Sequence, residues 1–278
     1  MAAPSRRRTA ARPKAVNTLA IDIGGTGMKA SVLDGEGQFL ADPVRVETQY
    51  PCAPADLVQR LADLVTPLPA YSRISAGFPG VMRGGRILSA PHFATIAGPG
   101  TAIDPKLARA WAGFDLASAL QERLGSPVRI VNDAELQGAA VISGQGLELV
   151  ITLGTGLGTA LFHEGEVAPH LELAHHPFRK GETYNEQVGE AARKRVGKEK
   201  WNRRVLLAVQ TLDALLFYDR LYVGGGNGKR VTVDLGPKAT FVENRAGILG
   251  GITLWEGPAR NTGDHDVARV VTAAEQAT

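Results

Sequence analysis

The sequence predicts an α/β protein built as two facing domains with a cleft between them, and three observations predict it. Apolar strand-like runs alternate along the chain with segments of helical periodicity. The 278 residues suffice for two domains of ordinary size. One stretch occurs twice without a gap: LAIDIGGTGMKASVLDGE over residues 19–36 and LVITLGTGLGTALFHEGE over residues 149–166, with Leu, Ile, Gly, Ala, Gly and Glu coinciding. Each copy reads as an apolar strand, a Gly/Thr turn, a second apolar strand and a polar glycine turn. Two such hairpins, one per half, suggest jaws that grip a polyphosphate from opposite sides.

The remaining elements follow in chain order. Residues 53–65 place Leu57, Val58, Leu61, Leu64 and Val65 at helical spacing. Residues 73–78 form a short strand ending in Gly77-Phe78-Pro79-Gly80, and 84–100, with SAPHF inside, read as loop. Asp115 caps a helix running to Leu124, which Gly125 ends. Residues 128–131 are a buried-type strand that stops at Asn132-Asp133, and a helix follows to about Ile142. After the second hairpin, 163–181 read as turns and loop. Helices follow near 186–196 and 201–217, then a strand over 220–223, the triple glycine Gly224-Gly225-Gly226, and a last helix over 245–255. The domain plan is a disordered basic arm (1–17), a small N-terminal α/β domain (18–140), a larger C-terminal α/β domain (141–257) whose last helix can pack back on the first, and a polar tail (258–278).

Composition narrows the class. Apolar residues make up 44% and charged residues 21%, as in a soluble globular protein, and no run of about 18 apolar residues offers a membrane span. The lone Cys52 excludes an internal disulfide and any cysteine-based zinc site, which fits a reducing, cytoplasmic setting. The net charge of +3 comes from the arm: Arg6, Arg7, Arg8, Arg12 and Lys14 precede the first strand with no acid among them. The arm has no apolar periodicity and no h-region of an export signal follows it. A solvated tail is favoured over a nucleic-acid arm, and no nucleic-acid partner is expected.

The chemistry concentrates at a few places. In the first turn, Gly24, Gly25 and Thr26 can hold phosphate oxygens in a nest of backbone N–H groups. Asp22 can hold Mg²⁺ through water and Lys29 can neutralise phosphate charge. The second turn, with Thr152, Gly154, Thr155 and Gly156, lacks the acid and the lysine but fits the far end of the same phosphate chain. Neither is a P-loop. Asn132-Asp133 sits where a strand ends, the usual place for site residues in open α/β sheets. A carboxylate there can accept a proton from an attacking hydroxyl, and the pair reads equally as a plain helix N-cap. Glu172, His175 and His176 in LELAHHPF lack the spacing of a zinc motif. Hydrogen bonding to a polyol and a buried structural role stand level for them. Residues 193–204 carry seven basic residues against Glu199 alone, a solvated helix face or a track for a long polyanion.

Taken together these motifs resemble the ROK family of sugar kinases. DIGGTGMK is similar to its first phosphate motif, TLGTGLGTALF to its second, and LYVGGG, ending in Gly224-Gly225-Gly226, to its adenosine-side motif. Asn132-Asp133 is similar to its sugar-binding Asn and catalytic Asp, and Glu172-Leu173-Ala174-His175 to its ExGH element, with Ala174 in place of Gly. Asn185-Glu186 stands near the place of a second sugar-binding Glu. The Cys-rich zinc motif of many members is missing, so the chain resembles the zinc-free polyphosphate glucokinase branch. The resemblance implies an actin/hexokinase-like (ribonuclease H-like) fold and a cytoplasmic homodimer. It implies phosphoryl transfer from polyphosphate, ATP or both to the 6-hydroxyl of glucose or a related hexose, with Mg²⁺ and no zinc. Asp133 then takes the hydroxyl proton, while Asn132, Glu172, His175 and the backbone at Gly77 and Pro79 hold the sugar. The rival readings are a strictly ATP-dependent hexokinase of another specificity and a non-catalytic sugar-sensing regulator.

Overall fold

The computed structural model describes residues 16–242 and 246–256. Most of the basic arm, Arg245 and the tail after 256 lie outside the described residues. In the first half, β1 (Thr18–Ile23), β2 (Gly27–Leu33) and β3 (Val44–Glu47) lead into α1 (Pro54–Val65) and β4 (Arg73–Phe78). A small hairpin, β5 (Val81–Arg83) and β6 (Arg86–Ser89), precedes α2 (Pro105–Trp111), α3 (Leu116–Leu124), β7 (Val128–Asn132) and α4 (Asp133–Ala139). In the second half come β8 (Leu147–Leu153), β9 (Leu157–His163), β10 (Glu166–Val167), β11 (Pro177–Arg179) and β12 (Glu182–Thr183). They are followed by α5 (Tyr184–Val188), α6 (Glu190–Val196), α7 (Lys198–Leu216), β13 (Arg220–Gly224), β14 (Ala239–Phe241) and α8 (Ala246–Glu256).

The repeated sequence stretch is a repeated sheet. One five-stranded sheet runs β3-β2-β1-β4-β7 and the other β10-β9-β8-β13-β14. In each, the first strand of the repeat has an antiparallel hairpin on one side and parallel strands on the other. The α/β class is as the alternation of runs predicts. Among the described residues no helix is long and apolar enough to cross a membrane.

Each sheet has its own core. Leu19, Ile21, Ile23 and Met28 bury against Leu57 and Leu61 of α1 and an aromatic cluster in which Phe78 lies 5.3 Å from Phe93 and 5.6 Å from Trp111, ring centre to ring centre. In the second half Leu149, Ile151 and Leu153 pack on Trp201, Val205, Val209 and Leu212 of α7. Helix α8 crosses back to the first sheet. Ile252 joins Ala20 and Leu33, Ser75 Oγ donates to the carbonyl of Gly251, and Trp255 Nε1 donates to Ser75 Oγ at 2.8 Å.

Several boundaries differ from the sequence reading. The 84–100 loop contains β6, because Gly84 and Gly85, both at positive φ (57° and 79°), make the two-residue turn that closes the β5–β6 hairpin. The helix after Asn132 stops at Ala139 rather than near Ile142. The 163–181 segment holds β10, a single 3₁₀ turn over Leu173–His175, and β11. The helix near 186–196 is two helices split at Gly189, where an added Cβ would stand 2.5 Å from the Thr155 carbonyl oxygen. The next helix begins three residues before Trp201, at Lys198. Strands β3 and β14 and helix α2 lacked a readable pattern.

Candidate active site

Three parallel strands bring the floor of the site together. In β1, β4 and β7, Asp22 lies opposite Gly77, and Phe78 opposite Asn132, so Asp22, the Gly77–Gly80 turn and Asn132–Asp133 share one sheet edge at the strands' carboxyl ends. Asn132 is the N-cap of α4: its Oδ1 accepts from Ala134 N at 2.8 Å, while Glu135 Oε2 accepts from Asn132 N at 2.9 Å. Its Nδ2 donates to the Gly80 carbonyl at 3.0 Å. The capping alternative therefore belongs to Asn132, and Asp133 is the first residue inside the helix. Gly77 lets that helix come close, since a Cβ there would stand 2.9 Å from Leu136 Cδ2 and 3.3 Å from Asp133 Cα. Pro79 is buried in the turn beyond it.

The Asp133 carboxyl is half-buried and its pKa is pushed up to about 7. Loss of solvent is the main cause; the charges of Asp22 and Glu172 add to it, and the Ala134 N–H opposes it. A carboxyl poised there can take or give a proton near neutral pH.

The first turn is pinned by its carbonyls. Gly24 N donates to Gly27 O at 3.0 Å. Gly24 O accepts from Thr48 Oγ1 at 2.7 Å, Gly25 O from Tyr50 OH at 2.6 Å, and Thr26 O from Thr48 N at 3.2 Å. Thr26 is exposed at the tip, and Gly25 backs onto His92 and Pro99. Beside the turn, Asp22, Lys29 and Arg45 sit opposite one another across β1, β2 and β3, with Lys29 Nζ 3.7 Å from Asp22 Oδ2. They line a groove of about 460 Å³ together with Gly24, Thr26 and Glu47. Burial pushes the Asp22 carboxyl up and the Lys29 and Arg45 charges pull it back. The sequence reading found Lys29 but not Arg45, because only the β2–β3 register puts Arg45 in this row.

The second turn is held the same way by other elements. Gly154 N donates to Gly156 O at 3.0 Å. Gly154 O accepts from Glu190 N at 3.0 Å and Asn227 Nδ2 at 3.1 Å, and Thr155 O from Glu190 N at 3.2 Å. Gly225, at φ 82°, lies so close to Leu153 that a Cβ would stand 2.4 Å from its carbonyl oxygen. Thr152 pairs with Gly224 and Leu153 packs on Gly225, so the entry to this turn lies against the Gly224–Gly226 turn, while Gly156 backs onto Asn185 and Gly189. A Cβ at Gly158 would meet Thr152 Oγ1 at 2.3 Å and Ala134 Cβ at 3.3 Å, so this hairpin lies against the first turn of α4, next to Asp133.

The fourth wall is the 170–176 segment. His170 Nδ1 lies 2.8 Å from Glu135 Oε1 and its Nε2 3.1 Å from Glu172 Oε1. His175 Nε2 is 3.8 Å from Glu172 Oε2 and its ring is largely exposed. The bond to Glu135 leads the effects that push His170 up to about 9, and the bond from His170 is the largest effect holding Glu172 below its ordinary value. Burial lowers His92, which feels the charges of Glu172 and His175. His176 turns away to Tyr184, ring centres 6.3 Å apart. Asn185 and Glu186 are both bonded into the framework: Asn185 Oδ1 accepts from Leu157 N at 2.6 Å, and Glu186 Oε2 accepts from Thr183 N at 2.7 Å. In the basic stretch, Arg193 is paired to Glu190 through two 2.7 Å contacts and Arg195 to Glu182 at 3.2 Å, so part of its charge is answered locally.

Comparison with known proteins gives concordant matches. The ROK family model matches residues 18–170. A polyphosphate glucokinase of Mycobacterium tuberculosis (strain ATCC 25618 / H37Rv) is 26% identical over 247 residues, covering 83% of this chain and 88% of that protein. The crystal structure of an inorganic polyphosphate/ATP-glucomannokinase from Arthrobacter sp. strain KM superposes with a TM-score of 0.71 at 28% identity, covering 86% of this chain and 98% of that one. A ROK family glucokinase from Streptomyces griseus, solved with glucose and AMPPNP, has the same fold, with a TM-score of 0.62 at 19% identity over 86% of this chain and 98% of that one.

Proposed function

Because the chain belongs to the ROK family, we propose that it is a sugar kinase transferring a phosphoryl group from polyphosphate, ATP or both to the 6-hydroxyl of glucose or a related hexose. The observation that carries this reading is the Asp133 carboxyl, set at the same sheet edge as Asp22 and the Gly77–Gly80 turn, next to the second glycine hairpin, and poised near neutral pH by burial and the charges of Asp22 and Glu172. The hexose lies between the Gly77–Gly80 turn and the 172–175 segment, held by Asn132, Glu172 and His175. Asp133 accepts the proton of the 6-hydroxyl as the hydroxyl oxygen attacks the donor's terminal phosphorus, and the bond from that phosphorus to its bridging oxygen breaks to release ADP or a polyphosphate shorter by one unit. Gly24, Gly25, Thr26 and Lys29 on one side, and Thr152, Gly154, Thr155 and Gly156 on the other, keep the donor in line. Positioning and electrostatics supply most of such catalysis.

Asp22 fits Mg²⁺ held through water. It is a single carboxylate in the groove where phosphate oxygens would gather, and Mg²⁺ retains several waters and takes few protein ligands. When bound, the ion supplies charge neutralisation at the transferring group. Asp22 also keeps Lys29 in place. Polyphosphate is favoured as donor by the Lys29–Arg45 row, and ATP by the Gly224–Gly226 turn, which packs on Thr152 and Leu153 at the entry to the second phosphate turn.

A sugar panel crossed with the two donors tests the reading. Glucose phosphorylated with polyphosphate supports it in full. Phosphorylation with ATP alone, without competition by polyphosphate, removes the polyphosphate part. Sugar binding without turnover on either donor overturns the kinase reading in favour of a sugar-sensing regulator.

A further inference from the structure

A buried charged group that the mechanism does not use lies beside the sugar-facing segment. His170 comes from the second half of the chain and is nearly buried, with its side chain 8% exposed. Both ring nitrogens face carboxylate oxygens, Nδ1 to Glu135 and Nε2 to Glu172. An ionised carboxylate only accepts hydrogen bonds, and a neutral imidazole donates from one nitrogen alone, so two such contacts require a ring carrying both protons. Glu135 spends its other oxygen on the backbone N–H of Asn132. A continuous line therefore runs from the cap of α4 through Glu135 and His170 to Glu172. The remaining oxygen of Glu172, Oε2, faces His175.

We propose that His170 is a positioning residue whose imidazolium bolts the sugar-facing Glu172 to the helix that presents Asn132 and Asp133. This rests on the kinase reading for the role of Glu172, but its content concerns sugar affinity. The bolt fixes the rotamer of Glu172, keeps it ionised and leaves Oε2 to accept a sugar hydroxyl. It also fixes the distance between the two walls that hold the hexose, one from each half of the chain. The titratable groups around it are Glu135 on α4 and Glu172 on its own segment. Through Glu172, His175, His92 and Asp133 also respond. The imidazolium form is present below about pH 9, and the clamp is lost as pH rises through that value, when one carboxylate loses its donor.

The test compares the full-length wild type with H170Q and H170F. It uses the sugar selected by the donor panel and calorimetric sugar binding without donor across pH, with thermal melting as the check on folding. The wild type is expected to lose sugar affinity above about pH 9, seen as a rise in the calorimetric Kd and, in turnover assays with donor, as a rise in KM for the sugar with a smaller change in kcat. H170Q, whose neutral amide can satisfy one carboxylate, is expected to bind sugar about tenfold more weakly near neutral pH and to lack that alkaline limb. H170F is expected to bind more weakly still. If H170F does not fold, H170Q decides the matter. A folded H170Q that binds sugar within about twofold of wild type and keeps the alkaline limb overturns the proposal. Sugar binding with no turnover in the wild type would sink the kinase reading and leave this one standing.

Discussion

Changing Asp133 to Asn should stabilise the protein while silencing it, and the size of the effect follows from the site. The carboxyl titrates near 3.8 in an unfolded chain and at about 7 in the folded one. Between those values the folded state keeps a proton that the unfolded state has lost, so stability falls as pH rises through that window and is level above it. A gap of about 3 units at about 1.4 kcal/mol each gives a ceiling of about 4 kcal/mol on the cost at neutral pH and above. About 1.5 kcal/mol of that is already present near pH 5. D133N removes the titration and carries only a pH-independent difference in packing and hydrogen bonding. Urea unfolding of both proteins near pH 5 and near pH 8 isolates the effect. The stability of D133N relative to wild type should rise by about 2–3 kcal/mol between the two conditions. In parallel, kcat should fall by about 10²–10⁴-fold with sugar binding kept. The wild-type kcat/KM should decline about tenfold per pH unit below about 7. A stability difference that does not change with pH would refute the claim that this carboxyl is held above its ordinary value by burial, Asp22 and Glu172.

Two further changes probe the donor side. Arg45→Ala removes one cation of the Asp22–Lys29–Arg45 row. It should raise KM several-fold for polyphosphate and less for ATP, whose nucleoside end has the Gly224–Gly226 turn to hold it, so equal effects on both donors count against the row as a polyanion contact. Gly225→Ala forces a side chain into positive φ and against the Leu153 backbone. It should cost about 2 kcal/mol or more in urea unfolding and raise KM for the donor more than for the sugar.

Much of this site could be read from the residues alone, and the reason is locality. The hairpin repeat, the strand ending at Asn132 and the caps at Asp115 and Gly125 are each specified within a few neighbours, and the structure has them where the pattern puts them. What escaped depends on long-range register. Strand β3 is four residues long and half polar, so Arg45 could not be placed beside Lys29 without the sheet. His170 meets Glu135 across 35 residues of sequence, and no spacing rule predicts that pairing. Gly189 divides α5 from α6 because the backbone of the second turn packs against it, a contact invisible in a helical pattern.

The helix that ends the described chain also finishes its beginning. Gly251 rests on Ala20 and Ser75, and Trp255 bonds Ser75, so the innermost strands of the N-terminal sheet keep an open face until α8 arrives. During synthesis the first half leaves the ribosome early yet keeps that face uncovered until residues 246–256 have followed. A premature stop codon before residue 246, or a cut that removes α8, therefore uncovers the sheet that carries Asp22.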